Sequence, residues 1–114
     1  MTATDCLFCK IAAGEIPATV VAQDDQFLAF RDINPQAPTH VLVIPREHVT
    51  SLNEAETADA LGALLLFAKK IAGNEALAER GYRVVINTNA DAGQTVFHLH
   101  AHILGGRVMR WPPG

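Results

Sequence analysis

The run His98-Leu99-His100-Ala101-His102 constrains this chain more than any other feature. An extended strand sends successive side chains to opposite faces. Three imidazoles therefore share one face while Leu99, Ala101 and Ile103 enter the core. Gln94 and Thr95 precede the run, and Gly105-Gly106 follow it. A polar row on an otherwise apolar strand needs a partner, and imidazole nitrogens suit a metal, a phosphate or both. Neutral imidazole can also attack phosphorus. His100, flanked by the other two, is the natural candidate for that role.

A length of 114 residues suits one domain, 1–114, and a hydrophobic share of 49% is enough for a real core. The net charge of −3 argues against broad attraction to nucleic acid or an anionic membrane. A phosphorylated small molecule stays open, because local donors count for more there than net charge. Residues 1–5 show no basic segment followed by an apolar stretch, so no signal peptide is expected and a cytoplasmic location is the default. The apolar stretch 61–71 carries two lysines and is too short to span a bilayer. Cys6 and Cys9 form one C-x-x-C, which in a reducing compartment reads as zinc, a redox pair or two packed thiols. His48 and His98 are the candidates to complete a tetrahedral zinc site.

Hydrophobic periodicity predicts an α+β domain with five mostly antiparallel strands and helices on one side. Leu7, Phe8, Ile11 and Ala12 fit a short helix ended near Gly14. Strands are expected at 19–22, 27–31, 40–44, 82–87 and 96–104, with a loop at 33–39 and a turn at 89–93. One long helix, capped by Ser51 or Asn53, buries Leu61, Leu64, Leu65, Ala68, Ile71 and Ala72. Leu66 and Phe67 widen its apolar stripe and suggest a subunit contact.

Other residues carry two readings each. Asp32, just past a strand, can accept both hydroxyls of a ribose or be an ordinary solvated carboxylate. Asn87, Gln94 and Thr95 offer neutral donors for a phosphate, yet Asn and Thr are also common turn residues. His40 either supports the histidine row or borders the sheet. Trp111, ahead of Pro112-Pro113, either covers a pocket in its own or a partner subunit or sits in a mobile tail.

The segment Gly93-Gln-Thr-Val-Phe-His-Leu-His-Ala-His-Ile-Leu-Gly-Gly106 resembles the signature of the histidine triad superfamily, and most of all its nucleotide-binding (HINT) branch. The likeness extends to Leu7-Phe8-Cys9-Lys10-Ile11, Phe30-Arg-Asp-Ile33, the stretch from Pro35 to Pro45 and the ending Trp111-Pro-Pro-Gly114. It implies a histidine triad fold whose sheet continues across a homodimer. It also implies hydrolysis of purine nucleoside phosphoramidates to the monophosphate and an amine, with purine mononucleotides and phosphoramidates as ligands. Carried over, His100 is the nucleophile and forms a nucleotidyl-histidine. His102, Asn87 and Thr95 hold the phosphate or leaving group, with Gln94 beside them. The His98 carbonyl fixes the proton on the near nitrogen of His100, and His40 backs the nucleophile. Asp32 takes the ribose; Leu7, Phe8, Ile11, Phe30 and Ile33 wall the base, and Trp111 approaches the partner's site.

No magnesium requirement is expected, because neutral and cationic side chains already replace its role. In zinc-binding members the ligands correspond to Cys6, Cys9, His48 and His98, and His98 then serves the metal. Thr95 stands where serine is common and Phe97 where tyrosine is frequent. The rival readings are a dinucleoside polyphosphate hydrolase or nucleotidyl transferase, and a non-catalytic purine nucleotide-binding protein.

Overall fold

The strand pattern assembles into one sheet. The structure, a computed structural model, describes residues 5–114, so the reading of the first four residues lies outside the described residues. The order along the chain is α1 (Leu7–Ala12), β1 (Val20–Gln23), β2 (Phe27–Arg31), β3 (Thr39–Pro45), α2 (Ala58–Asn74), β4 (Tyr82–Val85), α3 (Asn89–Ala92) and β5 (Ala101–Gly105). Among the described residues the sheet has five strands in the order β1-β2-β3-β5-β4, every neighbouring pair antiparallel. No described helix is long and apolar enough to cross a membrane.

Helices cover both faces of the sheet, not one. The reason lies in β2 and β3, where Phe27, Leu28, Ala29 and Phe30, and then Val41 to Ile44, are buried without alternation. Phe27, Ala29, Val41 and Val43 pack with α2, against Leu64, Phe67, Ala68, Ile71 and Ala72. Leu28, Phe30, Leu42 and Ile44 face the other way and pack with Cys6 and Phe8 at α1. That second core holds α1 beside the histidines.

Several boundaries differ from expectation. Thr57 caps α2, its hydroxyl accepting from the Ala60 N–H at 3.1 Å. Ser51 instead caps a 3₁₀ turn at Leu52–Glu54 and donates to the Glu54 carboxylate at 2.6 Å. Around α2, Leu64, Ala68, Ile71 and Ala72 are buried as expected and Leu61 packs against the core; Phe67 joins them, while Leu65 is 49% exposed and Leu66 66% exposed. β4 stops at Val85, and residues 89–92 form a single helical turn ended by Gly93 at φ 86°. β5 begins at Ala101 rather than at 96, so His98 and His100 lie ahead of the ladder. The chain bends over residues 96–98, and the Leu99 N–H donates to the Val49 carbonyl at 2.6 Å.

Candidate functional site

The alternation that places the histidines survives outside the ladder. Leu99 and Ile103 belong to the α2 core. His98 and His100 turn to the opposite face, where Phe8 meets both edge-on with ring centroids 6.0 and 5.0 Å away. His102 follows, 4.9 Å from His100 between ring centroids. Across the sheet, His40 and His102 rings lie 5.2 Å apart, brought together by the β3–β5 register that pairs Leu42 with His102.

Hydrogen bonds to main-chain groups fix which nitrogen of each ring carries the proton. A carbonyl only accepts, so His100 Nδ1–H donates to the His98 carbonyl at 2.7 Å, leaving Nε2 with a free lone pair. A backbone N–H only donates, so the Gln36 N–H at 3.0 Å makes His40 Nδ1 an acceptor. Neutral His40 therefore carries its proton on Nε2, which points at His102 Nδ1 at 2.9 Å and at an Asp32 carboxylate oxygen at 3.4 Å. His102 Nδ1 then accepts, and its own proton sits on Nε2. The row thus presents a bare nitrogen at His100 beside an N–H at His102.

Burial keeps these rings neutral. It holds His100 below the ordinary imidazole value, against the opposing pull of the His98 carbonyl and the Asp32 charge. His102 is pushed down to about 4, mainly by burial, with His100 and His40 adding and Asp32 opposing. Burial also lowers His40, again against Asp32.

The other predicted residues scatter in environment. Phe8 and Phe30 are buried and stack edge-on with centroids 5.5 Å apart, and Ile11 is half-buried against them. Leu7 is exposed, and Ile33 and Trp111 stand fully or largely in solvent. Asp32 is anchored by accepting the Asn34 N–H at 2.8 Å. Gln94 is buried and spends its amide on the main chain: it accepts from the Asn89 N–H and donates to the carbonyls of Thr50 and Val96. It braces the turn before the histidines. Asn87 is half-buried and Thr95 exposed at the same turn. A cavity of about 540 Å³ lies on the His48 side of α2 and is not lined by His100 or His102.

Beside it lies a second cluster. Cys6, Cys9, His48 and His98 bring one donor atom each within 4.8 Å of one another. Cys6 sits at the N-cap of α1, where its sulfur accepts the Cys9 N–H at 3.3 Å. His98 Nδ1 is 3.3 Å from Cys6 Sγ and 3.5 Å from Cys9 Sγ; His48 Nδ1 is 3.3 Å from Cys9 Sγ. His98 is fully buried and its Nε2–H donates to the Pro45 carbonyl at 2.7 Å, so Nδ1 is a lone pair aimed at the sulfurs. A zinc tetrahedron with thiolate and imidazole ligands has S···N edges of roughly 3.6 Å, close to these spacings. His48 Nε2 is buried without a hydrogen-bond partner, as suits a ring held through its other nitrogen. The four side chains fit a metal ion. Without one, burial and the neighbouring Cys6 push the Cys9 thiol up to about 11, and burial holds His98 down at about 4.

Two partners escaped the sequence reading. The Gln36 N–H and the Pro45 carbonyl set the His40 and His98 protons, and main-chain groups leave no mark on residue type.

A five-stranded antiparallel sheet carrying this hydrogen-bonded histidine row defines a histidine triad domain. The HIT domain model matches residues 13–109, and the chain belongs to the HIT family. It is 54% identical over 112 residues to the 14 kDa zinc-binding protein of Zea mays, covering 95% of this chain and 87% of that one. With the adenylylsulfatase HINT1 of Arabidopsis thaliana it shares 53% identity over 112 residues, 95% of this chain and 76% of the relative. The crystal structure of a HIT family hydrolase from Legionella pneumophila Philadelphia 1 superposes with a TM-score of 0.94 at 56% identity, covering 96% of this chain and all of that one.

Proposed function

We propose that this chain is a HINT-branch hydrolase that cleaves purine nucleoside phosphoramidates to the nucleoside monophosphate and an amine. The observation that carries the reading is the His98 carbonyl 2.7 Å from His100 Nδ1, which leaves Nε2 of a neutral ring as a nucleophile. In the first step His100 Nε2 bonds to phosphorus as the P–N bond breaks; the departing nitrogen takes a proton from solvent and leaves as the amine, with His102 Nε2–H hydrogen-bonded beside it. In the second, water attacks the phosphohistidine and releases a proton to solvent, while His100 leaves as neutral imidazole. Charge that gathers on the phosphoryl oxygens meets donors at the 87–95 turn, Asn87 and Thr95 among them. Asp32 takes the ribose hydroxyls, and Phe8, Ile11, Phe30, Leu7 and Ile33 border the base.

A zinc ion, when bound by Cys6, Cys9, His48 and His98, supplies cross-linking of α1 to the histidine strand and no chemistry at phosphorus. The working unit is a homodimer. β4 is an edge strand, Val84 on it is exposed, and α2 presents Leu65 and Leu66 outward. Pairing two β4 edges continues the sheet and covers these side chains. Trp111, largely exposed here, then reaches toward the partner's site.

The Arabidopsis relative's name favours one variation. An adenylyl sulfate offers the same AMP half with a sulfate leaving group, and the same His100 attack serves both. The test is intact-mass spectrometry after brief mixing with adenosine phosphoramidate. An AMP adduct that maps to His100 and is absent from His100→Ala supports the reading. Full turnover by His100→Ala removes it. Parallel rates with adenylyl sulfate and dinucleoside polyphosphates rank the leaving groups.

A further inference from the structure

Away from both clusters, the end of α2, the start of β4 and the segment after β5 enclose a recess of about 460 Å³. Its lining gathers Arg80, Arg83 and Arg107, three of the chain's six arginines, in a protein of net charge −3. Among the described residues no Asp or Glu lines it, although Glu79 is adjacent to Arg80 in sequence. The remaining wall is Leu77, Tyr82 and Met109 with backbone.

Arg83 and Arg107 are held by main-chain carbonyls, and the ion pairs of the described residues include none of the three arginines. Arg83 donates to the Arg110 carbonyl and lies under the Trp111 ring, 5.9 Å from its centroid. Arg107 donates to the carbonyls of Gln36 at 3.1 Å and Val108 at 3.2 Å. Carbonyls orient a guanidinium without cancelling its charge. Arg31, by contrast, is paired with Glu75 at 2.6 Å. Three like charges around one hollow repel one another, and that cost is relieved when an anion of matching charge enters.

We propose that this recess binds a condensed phosphate, meaning two or more linked phosphoryl groups, free or carried by a small molecule. Planar guanidinium forks match phosphoryl oxygens two at a time. A single orthophosphate engages one or two forks, whereas a linked chain engages all three. The volume lies within the few-hundred-Å³ range of small-ligand sites. The site is separate from the histidine row and does not depend on the hydrolytic reading.

The probe is sodium tripolyphosphate, titrated at physiological salt into protein saturated with AMP. Isothermal calorimetry reads both affinity and stoichiometry. The expected result is one saturable site per chain, with orthophosphate at least tenfold weaker. Arg80→Ala and Arg83→Ala should each weaken tripolyphosphate about tenfold or more, the usual scale for a charge-assisted hydrogen bond. Lys69→Ala, on α2 outside the recess, should change nothing. Arg80 is exposed and far-UV circular dichroism checks that each variant is folded. Displacement of tripolyphosphate by AMP, wild-type affinity in both arginine variants, or tighter binding of an acidic peptide than of tripolyphosphate would each overturn the proposal. If AMP itself does not bind, the arginine variants still decide, so failure of the nucleotide reading leaves this test intact.

Discussion

His40→Phe tests the proton arrangement at the heart of the site. Phenylalanine matches the ring volume of a residue that is 5% exposed, so packing is largely kept. What disappears is the Nε2–H that faces His102 Nδ1 at 2.9 Å and the acceptor for the Gln36 N–H at 3.0 Å. Leaving a buried polar group unpaired costs about 1–3 kcal/mol. The His102 share of that cost falls on the tautomer that carries its proton on Nε2, the one needed by the leaving nitrogen. At about 1.4 kcal/mol per factor of ten, turnover of adenosine phosphoramidate should fall about tenfold to a hundredfold, mainly in kcat. Nitrogen-15 long-range NMR at neutral pH reads the tautomer directly: His102 in the wild type should show an unprotonated Nδ1 and a protonated Nε2, and the variant a mixture. A wild-type His102 protonated on Nδ1, or undiminished turnover by His40→Phe, would refute the reasoning.

Four further outcomes follow from the same geometry. A nucleophile must be neutral, and His100 is held below its ordinary value of 6.5, so the acid limb of a pH–rate profile should have its midpoint below 6.5. His102 and, in metal-free protein, His98 are depressed from 6.5 to about 4. Between those values the unfolded chain binds protons that the folded chain refuses, so the urea midpoint should fall as pH drops from about 6.5 toward 4 and then level off. Cys9→Ser should take bound zinc from about one ion per chain toward none and abolish the thiolate charge-transfer band of the cobalt-substituted protein, with Tm lowered by several degrees. Leu66→Asp should convert a dimer to a monomer in sedimentation velocity with unchanged circular dichroism, and a monomeric wild type at tens of micromolar would remove the dimer reading.

Much of this site was legible because strand alternation is a local property. His98 and His100 both meet Phe8, and His102 lies against His100, even though the first two precede the ladder and the chain bends over residues 96–98. The start of β5 was not legible, because β4 ends at Val85 and the Val43↔Ala101 pair closes the β3 register, and neither depends on residues 96–100. The α2 start was obscured by Ser51 and Glu54, which have the capping-box spacing and satisfy each other on a 3₁₀ turn. One signal was readable and outweighed: the unbroken run from Phe27 to Phe30 marks a strand buried on both faces. Periodicity does not separate Phe67 from Leu65, because each flanks the stripe of Leu64, Ala68 and Ile71 at helical spacing, and packing against the sheet makes the choice. Proton placement was beyond reach, because it is set by the Gln36 N–H and the carbonyls of Pro45 and His98.

His98 shows why the thiol cluster and the histidine row sit side by side. Its Nε2–H is committed to the Pro45 carbonyl, its Nδ1 to Cys6 and Cys9, and its own carbonyl to His100. A residue with its polar groups so engaged and no exposed surface has little freedom to turn. The α1 segment that carries both cysteines also carries Phe8, whose ring meets the edges of His98 and His100. A metal ion held by Cys6, Cys9, His48 and His98 would therefore also fix α1 where Phe8 meets His100. On the proposed function, loss of the ion would free α1 at one end and loosen both the Phe8 packing and the carbonyl anchor of His100.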